Sequence, residues 1–393
     1  MARLRWPALI LVLLALTSLG SYSATACPFC MEGGGPTLLG DFKLAEIVLL
    51  GTCSNARLTD GNLGEGETDV KVEHVFKGQD RIGGKKSITI PKYLPNAKNK
   101  YLLFMDVYKG KFDPYKGIEL TDGNQIVEYL NKSIKLQDAP LGERLKMCAT
   151  YLTSPDYDVS MDAYREFAKA DYKDYAGMAK TLNPKEIAAW LQDPKTPAYR
   201  YGLYGSLLGH CGTKEHGDLL RNMIEDPKKV GSGIDGLMAG YLLIAKGAGL
   251  EYLKGILKDE RQPFDMRYAA LRTVRFFWDQ GPTIFSKKDL SGAQALALKH
   301  FDMADLAIED LRRWHCWDVS GKVLPLFNDK NYDLMVIRRS ILRYALQCPN
   351  ADARAFVQQQ RKRDADWVRD VEEILRLEID VQPAPKVVPA KKK

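Results

Sequence analysis

Histidine is scarce in this chain, with 5 in 393 residues. A catalytic centre or metal site built on several imidazoles therefore has few residues to draw on. Charge of one sign is also lacking. The formal charge is +7, but Arg3 and Arg5 belong to the first segment and Lys386, Lys391, Lys392 and Lys393 to the last. The body between them is close to neutral, so the basic face that a nucleic-acid binder presents is not expected. Long apolar runs are missing beyond the first 20 residues, so no membrane span is expected in the body. No glycine-rich phosphate loop ends in Lys-Ser/Thr, and Gly205-Ser206 has no flanking pattern of a nucleophile elbow. No cofactor is expected.

What is present begins at the amino terminus. Arg3 and Arg5 precede the apolar stretch Leu9–Leu16, and a polar segment ends in Ala24-Thr25-Ala26. This is the pattern of a secretory signal peptide over residues 1–26, and it predicts an exported, periplasmic or secreted protein. The next residues are Cys27-Pro28-Phe29-Cys30. Export makes disulfides chemically accessible. Of seven cysteines, Cys27, Cys30, Cys53 and Cys148 are the disulfide candidates, and the odd total leaves at least one thiol unpaired or intermolecular. Connectivity stays open. Cys27 follows the small residue Ala26, so lipidation there is an alternative. A thioredoxin-like role is disfavoured because no strand precedes the Cys-x-x-Cys spacing. The next residue is Met31 rather than histidine, which argues against covalent haem attachment.

Two hydrophobic periods divide the rest. Between Phe42 and Leu120 the pattern is strand-like: Ile47–Leu50 is a short apolar run, and Val70, Val72, His74 and Phe76 alternate with charged residues. Ser87–Ile90 and Tyr101–Met105 continue it, with glycines marking turns. His74 is expected in the core. Residues 27–138 therefore predict a small β-barrel or sandwich.

Beyond Pro140 the period is helical. Apolar segments such as Tyr201–Leu208, Leu237–Ile244 and Tyr268–Trp278 recur about every 30–40 residues, the spacing of helical-hairpin repeats that must stack to bury their faces. Gly212, Gly247 and Gly281 are expected as left-handed helix caps. Residues 139–380 predict an α-helical repeat solenoid. The tail, 381–393, is rich in proline and lysine and is expected to be extended. The fold class expected is α+β multidomain.

The strand phrases Ala45–Val48 leading to Gly51, Val72–Gly78 and Tyr101–Phe104 resemble the netrin-like domain, shared with tissue inhibitors of metalloproteinases. The helical half resembles the HEAT-like repeat family in period. The first resemblance implies an OB-type barrel and, as one option, chelation of a target protease's zinc by the amine and carbonyl of Cys27. That family begins Cys-x-Cys with several partner cysteines downstream, whereas here only Cys53 lies in the same domain.

The function expected is non-catalytic binding or scaffolding in the cell envelope or exterior, with a protein or peptide partner held by the repeats. Metalloprotease inhibition through Cys27 and an enzyme site between the domains are the alternatives. Tyr201, Tyr204, Arg272, Arg275 and Trp278 are candidate partner contacts, since aromatic and Arg side chains dominate interface energetics. His210, Cys211 and His216 are weak metal-ligand candidates, and a helix C-terminus explains them equally well. Trp314–Trp317 and the glycine-rich turn Gly231–Gly236 are read as packing and turn features. Oligomeric state is left open.

Overall fold

The computed structural model describes residues 27, 29–30, 34–58, 66–94, 99–226, 231 and 233–381. The expected signal segment and nearly all of the Pro/Lys tail lie outside the described residues. The chain divides into two compact units, one up to Met178 and one from Ala179.

The first unit opens with α1 (Leu38–Leu44) and a five-stranded sheet made of β1 (Ile47–Leu58), β2 (Gly66–Lys77), β3 (Ser87–Ile90), β4 (Lys100–Tyr108) and β5 (Lys111–Leu120), with the short helix α2 (Gln79–Ile82) before β3. The order is β3-β2-β1-β4-β5 and every pairing is antiparallel. Alternate residues build one apolar face from Ile47, Leu49, Cys53, Val70, Leu103 and Met105, as the period of two requires. Val48, Leu102 and Phe104 are buried on the opposite face. Near that face α1 is tied to β5, where Lys116 pairs with Asp41.

His74 departs from expectation: it is exposed and lies edge-on to Phe76, with ring centroids 4.5 Å apart. The cause is a change of register. Gly51 pairs with Val72 but Leu50 pairs with His74 and Leu49 with Val75. The extra residue turns Val75, not His74, toward the core. Gly51 is required at this point, because a Cβ there would lie 2.5 Å from Val70 Cγ1 and 2.8 Å from the Lys71 carbonyl.

Four helices complete this unit: α3 (Ile126–Lys135), α4 (Leu141–Ala149), α5 (Tyr157–Lys169) and α6 (Tyr172–Ala179). Tyr129, Tyr164 and Tyr175 are among its most deeply buried side chains. The helices just beyond Pro140 fall in the first unit, which runs to Met178.

The second unit is helical: α7 (Pro184–Gln192), α8 (Tyr201–Cys211), α9 (Lys214–Glu225), α10 (Ile234–Ala245), α11 (Gly247–Lys258), α12 (Phe264–Asp279), α13 (Lys287–Gln294), α14 (Ala304–Arg313), α15 (Ser320–Val323), α16 (Met335–Gln347), α17 (Ala351–Arg363) and α18 (Ala365–Val381). Asn183 caps α7, and Pro184 takes the first position, where its missing N–H costs nothing. α8 and α10 pack together closely through glycine. A Cβ on Gly240 would come within 2.0 Å of the Gly205 carbonyl, and one on Gly236 within 2.2 Å of the Gly202 carbonyl.

The expected glycine caps are corrected. Gly212 ends α8 at φ −77°, and the positive φ between α10 and α11 belongs to Lys246, not Gly247. Gly212 and Gly281 are needed for space instead, since a Cβ would lie 2.6 Å from the Leu208 carbonyl and 2.7 Å from Phe277 Cα respectively.

Polar side chains link separate segments of this unit. Arg267 on α12 forms a two-pronged pair with Asp302 at 2.9 and 2.7 Å. Arg275, also on α12, grips Asp310 of α14 through Nε at 3.0 Å and Nη2 at 2.8 Å, while Gln294 donates to the same carboxylate at 2.6 Å. Arg312 of α14 donates to Gln347 of α16 at 2.9 Å. In all three the partners stand 35 residues apart in sequence. Asp310 is 2% exposed, and its pKa is raised by burial against the opposing pull of Arg275.

Candidate functional site

The cysteine-bearing segment is held in the first unit, and α5 is the element that holds it. Asp156 starts α5 by accepting hydrogen bonds from the Asp158 and Val159 N–H groups at 3.1 and 3.3 Å. At its other end the helix leaves carbonyls without intrahelical partners. One of these, on Ala168, accepts the Cys27 N–H at 3.1 Å. The Cys30 N–H then donates to the Cys27 carbonyl at 3.2 Å, folding the motif into a tight turn. This brings Cys30 Sγ to 2.8 Å from Cys27 Sγ. Phe29 is 1% exposed and Cys27 4%, so both are anchors.

The same helix fixes the chain again further along. The Leu38 N–H donates to Asp162 Oδ1 at 2.7 Å, and Thr37 caps α1 by accepting from the Gly40 N–H at 3.2 Å. Asp162 is 3% exposed. Burial raises its pKa to about 6, the Leu38 N–H opposes the rise, and Glu166 adds to it. Beside this contact a cleft of about 230 Å³ opens between α1, α4 and α5, lined by Lys43, Arg144, Glu166 and Lys169 among others. Arg144 approaches Glu166 at 3.7 Å.

The Cys30 thiol is driven well above its ordinary pKa by burial and by Cys27. The other two disulfide candidates stand elsewhere in the unit. Cys53 sits fully buried in the sheet core, its thiol pushed up to about 11 by burial. Cys148 on α4 contacts the Tyr129 hydroxyl at 3.6 Å, and burial pushes its thiol up to about 12. The geometry therefore brings Cys27 to Cys30 and neither of them to Cys53 or Cys148.

The expected partner contacts in the second unit divide. Tyr201 and Tyr204 are 8% and 1% exposed, which corrects their assignment to a surface. Arg272 and Arg275 spend their charge on Asp235 at 2.6 Å and Asp310 at 2.8 Å. Trp278 is half-buried; it stacks on Trp314 at 4.3 Å between ring centroids, with Lys287 Nζ 4.1 Å from its ring centre.

The weak metal candidates do not converge. His216 Nδ1 accepts the Thr213 N–H at 3.1 Å in a capping arrangement, and Cys211 Sγ turns back to the Leu207 carbonyl at 3.5 Å. His210 has its pKa lowered to about 4 by burial and by Lys180. Among the described residues no group of three or more His, Cys, Asp and Glu side chains is arranged to hold a metal ion.

Sequence reasoning missed Asp162, Glu166 and Arg144. Asp162 and Glu166 are four apart and thus share a face of α5, but nothing local marked that face as buried. Comparison with family profiles, curated proteins and solved structures returns no match.

Proposed function

We propose that this is an exported, non-catalytic binding or scaffolding protein, whose second unit is a solenoid of HEAT-like repeats presenting a surface to a protein or peptide partner. The observation that carries the reading is that alternate helices pack on one another, α8 on α10, α10 on α12 and α14 on α16. Contact of a helix with the next but one is what stacked helical hairpins produce, and stacking generates an extended surface suited to a macromolecule. The first unit is a netrin-like, OB-type barrel in this reading. The strand order supports it, as does the approach of edge strands β3 and β5 across a cleft lined by Ile88, Ile90 and Phe112.

The test is site-specific photo-crosslinking in intact cells. A photoreactive residue at Trp278 should give a discrete macromolecular adduct that one at Lys71, exposed on β2, does not. Deleting residues 2–26 should trap the protein inside the cell. A melting-temperature rise with a metabolite panel, and no adduct, would favour an enzyme instead. Protease inhibition through Cys27 is less well supported. Its nitrogen is engaged by the Ala168 carbonyl and the residue is buried, so the segment must first undock.

A further inference from the structure

We propose that Cys27 and Cys30 form a reversible disulfide that latches the amino-terminal segment onto α5. Their Sγ atoms stand 2.8 Å apart, and the backbone between them is already closed into a turn by the Cys30 N–H to Cys27 carbonyl bond. Only a small local adjustment separates this arrangement from a bonded pair. Neither other thiol of the first unit competes. Cys53 is sealed in the sheet, and Cys148 is taken up by Tyr129. Cys148 also feels Glu166 and Asp162, whereas the cysteine turn meets Tyr164 and Ala168. Positions 162 and 166 point about 200° around the helix from 164 and 168, so the two thiol environments lie on opposite faces of α5.

What the bond would hold is equally specific. Downstream of the turn the segment continues to Leu38, whose N–H is bound by Asp162 on the same helix. The turn and the Leu38 contact are two attachment points on α5, and a cross-link that rigidifies the first favours the second. The pair is expected to respond to redox conditions because Cys30 is only half-buried. Exchange begins slowly, since burial keeps the docked Cys30 in the thiol form, and thiolate is the attacking species.

The oxidant is a small external disulfide, such as oxidised glutathione. One cysteine thiolate attacks a glutathione sulfur, forming a mixed disulfide and releasing one glutathione thiolate. The other cysteine, deprotonated, attacks the protein-side sulfur and releases the second glutathione. Two thiols are oxidised to one disulfide, one glutathione disulfide is reduced to two thiols, and the two protons end on glutathione.

The experiment uses the whole protein equilibrated in oxidising and in reducing glutathione buffers. Differential alkylation with peptide mass mapping reads which thiols are bonded, and hydrogen exchange reads the Leu38 amide. The expected result is a bond confined to the Cys27–Cys30 peptide in the oxidising buffer, with Leu38 exchange slowed about tenfold relative to the reducing buffer. Cys30→Ser should exchange at one rate in both buffers. Alkylatable Cys27 and Cys30 in the oxidising buffer, or a bond from either to Cys53 or Cys148, would overturn the pairing. A bond that forms without slowing Leu38 would overturn the latch. Because the wild-type protein is compared with itself, the result stands even if the serine variant folds poorly.

Discussion

The sheet and the helix array handle buried polarity in opposite ways. The main sheet core is a cluster of aliphatic and aromatic side chains whose one sulfhydryl is Cys53. The helical unit instead carries Arg267, Arg312 and Asp310 at 7%, 4% and 2% exposure, each with partners. Register explains the difference. In a sheet, a one-residue slip sends every inward side chain to the wrong face, so alternation and the ladder specify alignment. Apolar helix faces resist sliding less sharply. A charge that finds its partner at only one alignment supplies the missing constraint, and we hold this as the hypothesis for why the pairs are there.

The largest expected effect comes from breaking such a pair from one side. Arg275→Met leaves the Asp310 carboxylate buried, with a hydrogen bond from Gln294 and the more distant charge of Arg313, and should cost about 3–5 kcal/mol. The double variant Arg275→Met with Asp310→Leu should recover most of that loss. Urea denaturation of both variants checks it. If the double variant is as unstable as the single, the pair contributes more than alignment and the contrast with the sheet weakens. Next in size is the helix crossing. Gly240→Ala forces a methyl toward the Gly205 carbonyl and should cost about 2–3 kcal/mol. Gly255→Ala, in open space within α11, should instead stabilise by about 0.5–1 kcal/mol. Thermal melts of the two alanine variants, shifting in opposite directions, would separate glycine kept for close approach from glycine that is merely tolerated.

These features differ in how far they could be read in advance. Strand and helix periods were visible because each depends on neighbours in sequence: Val70 and Val72 for β2, and Asn183-Pro184 for the start of α7. The unit boundary was not, because α4 and α5 have a helical period whatever they pack against. Glycines at helix ends suggest caps, whereas those inside α8 and α10 serve close packing. Gly205 and Gly209, like Gly236 and Gly240, are four apart, which places each pair on one helix face, and that spacing was the available signal for close packing. The pairing of Arg275 with Asp310 joins residues 35 apart and leaves no local trace in the sequence. The Cys27–Cys30 spacing was plain, but its docking on the Ala168 carbonyl depends on a chain segment 141 residues away, which no local pattern encodes.

Titration sharpens the comparison within the first unit. Asp162 has a folded pKa raised to about 6, chiefly by burial, with Glu166 adding to the rise and Leu38, Tyr129 and Lys116 opposing it. Its favourable contribution is complete below the unfolded value of about 4 and is lost as pH rises through about 6. Lowering the pH from 7 to 5 should therefore gain about 1 kcal/mol from this residue. Asp162→Asn should remove that gain, read as the difference in pH dependence of unfolding between wild type and variant. Equal pH profiles would mean that the carboxyl is not desolvated as its 3% exposure implies.

The smallest effect is expected on the sheet surface, where Lys100 pairs with Glu73 at 2.8 Å. The distance matches that between Arg275 and Asp310, yet the Lys100 side chain is 55% exposed. Water competes for both charges and salt screens them, so Lys100→Met should cost no more than about 0.5 kcal/mol and less at high salt. The pH sign is also reversed from Asp162. The Glu73 pKa is lowered, first by its bond from Lys100 and then by that from Thr52. Its contribution is present above the ordinary glutamate value and is lost as pH falls through the lowered one. Two ion pairs of equal shortest distance thus separate by burial and by the further bonds that Arg275 and Gln294 give Asp310. A Lys100→Met loss approaching that of Arg275→Met in the same urea series would show that distance, not desolvation, sets their strength.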